Sequence, residues 1–168
     1  YPYGCTEQTM SSFLPNVIVS QTLKDVKTAS VRTSNDLKKK VERGRNRLYA
    51  YQHEGGGWGW WNNNPSDPFM TAYVIDGLTL AKQAGYEIDD DRISRGRVKL
   101  EAMLHAGTNE KGTPLDSETR AFMVYALVET GGVDSAHLDK LFGERTNLQP
   151  YGRALLALDL SLQKDKRA

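Results

Sequence analysis

One cysteine, no excess of either charge and no long apolar run are the first features of this 168-residue sequence. A lone cysteine cannot close an internal disulfide, so cysteine usage does not separate a cytoplasmic chain from an exported one. The 22 Lys and Arg nearly balance the 21 Asp and Glu, which gives no reason to expect a nucleic-acid or anionic-membrane partner. No run is long enough to cross a bilayer, and the first residues lack the basic-then-apolar order of a signal peptide. Strand alternation is not sustained anywhere, and no repeat of fixed period is present.

What the sequence does contain is helical spacing. Met10, Phe13, Leu14, Val17 and Ile18 form one apolar stripe with Thr6 as an expected N-cap, and Pro15 is expected to kink or interrupt that helix. A second helix is expected from about Ser34 to Gln52, capped by Ser34 or Asn35, with "DLKKKVERGRNR" as a solvated face. The stripe from Met70 to Ala81 gives a third, stopped at Gly85. Asp89, Asp90 and Asp91 sit where negative charge favours the start of a fourth, which runs to about His105. Further helices are expected over about 117–130, after "GGVDS" and after Pro150. Seven helices with modest loops and no heptad seam imply an all-α chain of side-by-side helical hairpins, a curved or toroidal α/α array.

The most unusual stretch is "YPYGCTEQTMSSF", which places Cys5 three residues before Gln8 in a first helical turn. A helix N-terminus favours negative charge and so the nucleophilic thiolate. If Cys5 Sγ attacks the Gln8 carboxamide and ammonia leaves, the product is an internal thioester, an activated acyl group that survives only where water is excluded. On spacing alone, a lone cysteine beside an apolar stripe reads as a small buried hydrophobe.

The wider wording carries more. "GCTEQ" after "YPY", then "GGGWGWW", then "SDPFMTAYVIDGLTLAKQAGY" resemble the thioester motif, the glycine-tryptophan loop and the following helix of the alpha-2-macroglobulin and complement family, its bacterial members above all. The resemblance is close over roughly the first half of the chain. It implies an α/α toroid or partial toroid, in which residues 1–168 form a thioester domain within a larger protein built mostly of β-sandwich domains. It also implies that the full domain is longer than this chain. Cys5 and Gln8 would be the bond-forming pair, with Glu7 belonging to the motif without a bond of its own. The implied activity is that of a protease inhibitor, a single-use covalent trap and not an enzyme, with proteases as its targets and no cofactor. A periplasmic, secreted or cell-envelope location comes from the resemblance alone.

Gln52, Gly56 and Trp58 also have the Q-x-x-x-G-x-W spacing of triterpene cyclases, whose architecture is likewise toroidal and in which this motif is a structural staple. The acid signature D-x-D-D of those enzymes is absent from "EIDDD". Trp58, Trp60 and Trp61 have two readings. They form an apolar lid over the thioester, or they stack on sugars in a carbohydrate-acting or carbohydrate-binding α/α domain whose Cys5 is inert. In the second reading Glu54 and Asp67 are the nearest acids for a glycosidase pair.

Family members that prefer hydroxyl targets use a histidine as acyl relay and base. His53, His105 and His137 are the candidates, and His105 has a spacing near the family's without its flanking residues, so it reads as a surface histidine. Without such a histidine, lysine amines are the expected acceptors.

Overall fold

The computed structural model describes residues 4–26 and 31–168. Seven helices are seen among them: α1 (Thr6–Asp25), α2 (Val31–Tyr51), α3 (Pro68–Gln83), α4 (Asp90–Ala106), α5 (Ser117–Glu129), α6 (Ser135–Gly143) and α7 (Pro150–Leu162). No strand occurs among the described residues; one isolated bridge pairs Thr108 with Pro114.

Aspartate starts most of the helices. Asp67, Asp89, Asp116 and Asp134 each accept a backbone N–H of the turn that follows, supplying partners to donors that the helix itself leaves free. The 89–91 triplet is thus a cap and first turn, as its position implied.

One expectation is narrowed and one corrected. Of the two outcomes expected at Pro15, interruption does not occur: α1 runs through it. Pro15 lies on the exposed side, and Ser11, whose carbonyl loses its helical partner, is exposed as well, so water can serve that oxygen. Helix α2 begins at Val31 rather than at a Ser34 or Asn35 cap, and ends at Tyr51, one residue before Gln52.

Helices α1, α3, α5 and α7 pack successively against one another as an inner layer, while α2, α4 and α6 each return along the outside. All four run the same way: the Thr6 N–H bonds Trp60 O just before α3, Phe69 near the start of α3 meets Phe122 near the start of α5, and Glu118 in the first turn of α5 accepts from the Gln149 and Gly152 N–H groups at the start of α7. Their N-termini, and the loops that enter α3, α5 and α7, gather at one end. This is the α/α toroid arrangement, built as an arc: α7 has no packing against α1 like that between neighbouring inner helices, among the described residues.

The core lies between the layers, around Phe13, Leu48, Trp58, Ile75, Leu100, Met123, Leu127 and Leu141. Two glycines set how closely the layers approach. A Cβ on Gly44 would stand 2.9 Å from Phe13 Cδ2, and one on Gly96 would stand 2.5 Å from Ile75 Cγ2 and 2.8 Å from Trp58 Cζ3. Helices α1 with α2, and α3 with α4, therefore meet where a side chain would separate them.

Candidate functional site

Cys5, not Thr6, is the N-cap of α1. Its backbone is extended, with φ −73° and ψ 175°, and its Sγ accepts the Gln8 N–H at 3.3 Å. In return the Cys5 N–H donates to Gln8 Oε1 at 3.1 Å. This is a reciprocal capping box in which sulfur takes the usual hydroxyl's place and a carboxamide the usual carboxylate's. Its chemical consequence is proximity. The nucleophile candidate and the acyl candidate are folded over one turn, and a backbone N–H already polarises the Gln8 carbonyl. Cys5 is buried while Gln8 is exposed.

Thr6, the expected cap, is the first helical residue, and its N–H donates to the carbonyl of Trp60 at 3.0 Å. The loop from Gln52 to Asp67 is thereby fastened to the end of α1. The Tyr51 hydroxyl adds a second tie by donating to Gly4 O at 2.6 Å, and the Thr9 hydroxyl donates to Cys5 O at 2.9 Å. Tyr1, Pro2 and Tyr3 of the motif lie outside the described residues.

The three tryptophans separate. Trp58 is wholly buried, and its indole N–H donates to Leu48 O at 2.7 Å, so it belongs to the core and not to a cover. Trp60 and Trp61 are 43% and 53% exposed. Trp60 stacks on Phe69, with ring centroids 6.5 Å apart, and Phe69 meets Phe122 at 5.2 Å. An aromatic row thus runs from the site across α3 to α5.

Gln52 acts as the staple its spacing implied. Its Nε2 donates to Gly56 O at 2.8 Å and to Arg92 O at 2.9 Å, joining the loop to the first turn of α4. Gly56 has φ +90°, and a Cβ there would stand 2.4 Å from Arg95 O, so this position needs glycine.

The other sequence candidates fall away from the sulfur. Glu7 is half-buried in the first turn and accepts from the Ser11 hydroxyl at 2.6 Å. With burial as the main cause, Glu7 and Asp76 also hold the Tyr73 phenol above its ordinary pKa. His105 is exposed in the last turn of α4, on a surface cavity shared with Glu101, Asp134 and His137, and it makes no contact with Cys5 or Gln8. Both His53 nitrogens are engaged, Nδ1 with the Ser66 hydroxyl at 2.9 Å and Nε2 with Asn62 O at 3.1 Å. Asp67 serves as the α3 cap, which removes it from a glycosidase pair. No group of His, Cys, Asp and Glu among the described residues is placed to hold a metal.

One feature was hidden in the sequence. A groove of about 660 Å³ opens between α1 and α2 directly at Gln8, and Lys40, Arg43 and Arg47 line its α2 wall. The charge run expected to be only a solvated face supplies those three. Gly44 in the middle of a helix was the available signal, because it marks the close helix approach that brings this stripe beside α1.

The family model for the A-macroglobulin TED domain matches residues 1–103. The alpha-2-macroglobulin of Thermotoga maritima is 43% identical over 96 residues, which cover 57% of this chain and 6% of that protein. That of Escherichia coli is 34% identical over 103 residues, covering 60% of this chain and again 6% of the relative. The chain therefore spans only a small part of the length of these relatives. Among solved structures, Salmonella alpha-2-macroglobulin reacted with methylamine matches with a TM-score of 0.80 and 24% identity, over 99% of this chain and 11% of the other. Native Escherichia coli alpha-2-macroglobulin, from domain MG7 to the C-terminus, matches with a TM-score of 0.79 and 24% identity over 99% of this chain and 27% of the other. At that identity the structural likeness speaks for the fold.

Proposed function

This chain belongs to the A-macroglobulin TED domain family, and on that footing we propose that Cys5 and Gln8 form an internal thioester that acylates amines of an attacking protease. The observation that carries the reading is the capping box, which holds Sγ and the Gln8 carboxamide over the same turn. In forming the bond, Cys5 thiolate attacks Gln8 Cδ, the C–N bond breaks and ammonia departs with the thiol proton. In using it, a neutral amine attacks the same carbon, the C–S bond breaks and Cys5 regains its proton. The Cys5 N–H, which donates to Gln8 Oε1, is placed to stabilise the oxyanion of both steps. Nothing resets the bond, so the device is a single-use trap rather than an enzyme.

The domain acts, in this reading, as residues 1–168 of a thioester unit beside β-sandwich domains of the same polypeptide, in the cell envelope or outside the cell. Family membership and the small share of each relative that it spans support this. No helix among the described residues is long and apolar enough to cross a membrane. Trp60, whose carbonyl is tied to Thr6, is the cover proposed for the bond, with Trp61 beside it.

The deciding measurement is intact mass of the native full-length polypeptide. It should be lower by one ammonia, and methylamine should then add its own full mass as an amide at Gln8 while releasing a titratable thiol. A Cys5 that alkylates freely in the untreated protein would rule the thioester out. The carbohydrate reading lacks support: Trp58 is buried and Asp67 is occupied as a cap.

A further inference from the structure

Lys40, Arg43 and Arg47 recur at i, i+3 and i+7 on one face of α2, so the groove at Gln8 has a wall of like charges that repel one another. No carboxylate is among the residues that line it. Two other cations of α2 have partners: Lys38 reaches Glu42 at 3.9 Å, and Arg45 donates to Glu87 O at 2.7 Å. Lys40 and Arg43 make neither an ion pair nor a hydrogen bond among the described residues. On the opposite side, a Cβ on Gly4 would lie 3.4 Å from Arg47 Nη1 and 3.5 Å from Gln8 Oε1. Arg47 and the Gln8 acyl group thus flank Gly4 in the same groove, and the positive end of the α1 dipole faces the same edge.

An amine that attacks Gln8 must bring the residues around it over this groove. A bare cationic surface would be repelled there, whereas carboxylates beside the amine would be attracted. Resting on the thioester reading, we propose that the groove seats acidic side chains of the protein being acylated, so that lysines with Asp or Glu neighbours are taken in preference. The chemical step is unchanged: the neutral amine forms its C–N bond at Gln8 Cδ as the C–S bond breaks, and its surplus proton goes to the Cys5 thiolate. The groove decides which amine arrives and not how it reacts. It also disfavours the protonated form of a nearby lysine, since an ammonium beside three cations gives up its proton more readily.

The experiment is protease activation of the full-length polypeptide in an equimolar mixture of two N-acetylated fluorescent peptides, each with one lysine. In one peptide the lysine is flanked by Asp and Glu, in the other by Asn and Gln. The acidic peptide should be incorporated in excess, by on the order of tenfold at low salt, and the excess should shrink as ionic strength rises. The double substitution Lys40→Glu with Arg43→Glu should invert the preference, and Lys40→Gln with Arg43→Gln should bring it near one. Intact mass, read on each variant before activation, reports whether the thioester has formed. Equal incorporation by the wild type while methylamine is still taken up would overturn the groove proposal alone. So would a preference that survives both double substitutions. Failure of the wild type to take up methylamine would overturn the thioester reading, and this inference with it.

Discussion

Cys5 and Gln8 cap one another: the Gln8 N–H reaches Sγ at 3.3 Å, and the Cys5 N–H reaches Oε1 at 3.1 Å. The same two hydrogen bonds that begin α1 bring together the atoms proposed to react. Stability and chemistry at this turn are therefore separable by substitution.

Cys5→Ser keeps an N-cap oxygen and should leave the fold's stability nearly unchanged, whereas Cys5→Ala should cost about 0.5–2 kcal/mol. Both should abolish the ammonia loss seen by mass. Equal destabilisation by the two, measured by urea unfolding, would mean that the sulfur's capping role has been overstated.

The tryptophans should part company in the same assay. Trp58→Ala empties a fully buried site and removes an indole bonded to Leu48 O, so it should cost about 3–5 kcal/mol. Trp61→Ala, at an exposed position, should stay within about 0.5 kcal/mol. Trp60→Ala should leave stability little changed and shorten the thioester lifetime in the full-length polypeptide. An unaltered lifetime would remove Trp60 from the cover.

Asp159 gives a pH prediction. It is completely buried in α7, and among the described residues neither carboxyl oxygen has a hydrogen-bond partner. Burial first, and then the charge of Glu129, pushes its pKa up to about 8; Asp76 on α3 is pushed up to about 6 by the same two causes. The phenol of Tyr125, between these helices, is raised as well, to about 12. The unfolded chain ionises near the ordinary carboxylate value while folded Asp159 keeps its proton. Stability should therefore fall as pH climbs from about 4 toward 8, and level off above that. Asp159→Leu should gain about 1–3 kcal/mol near pH 7 and flatten this dependence. An unchanged pH profile in that variant would show that other groups govern it.

Acceptor choice tests His105. It sits at the far end of α4 on a cavity of its own, so His105→Ala should leave the ratio of amine to glycerol incorporation unchanged, with amines dominant. Dominant glycerol labelling that disappears in the variant would identify His105 as an acyl relay.

Much of the helical frame was legible because its signals are local. Aspartate caps, apolar stripes, stopping glycines and a proline at a first helical position act within one or two turns, and the starts of α4, α5 and α7 follow from them directly. The start of α1 was misplaced by one residue because cysteine is not a customary cap; only with Gln8 folded back does Sγ take that role. Pro15 left interruption open for a related reason: whether a lost hydrogen bond ends a helix depends on whether the orphaned carbonyl faces water, and exposure is a property of the packed molecule.

The sequence by itself determined that Cys5 and Gln8 share a turn, since three residues of separation in a helix place side chains on one face whatever surrounds them. It also set Gln52, Gly56 and Trp58 within one short loop, whereas the Gln52 bond to Arg92 O depended on where α4 packs. Only the tertiary structure decided that Trp60 O would meet the Thr6 N–H, that Trp58 would be core while Trp60 and Trp61 stay exposed, and that a charge run on α2 would become the wall of the groove at Gln8. It alone buried Asp159. Helical periodicity fixes the direction of each side chain around its own axis, but the partner it meets depends on which helix packs there and at what distance. Here glycines such as Gly44 and Gly96 set that distance through contacts between residues far apart in the chain.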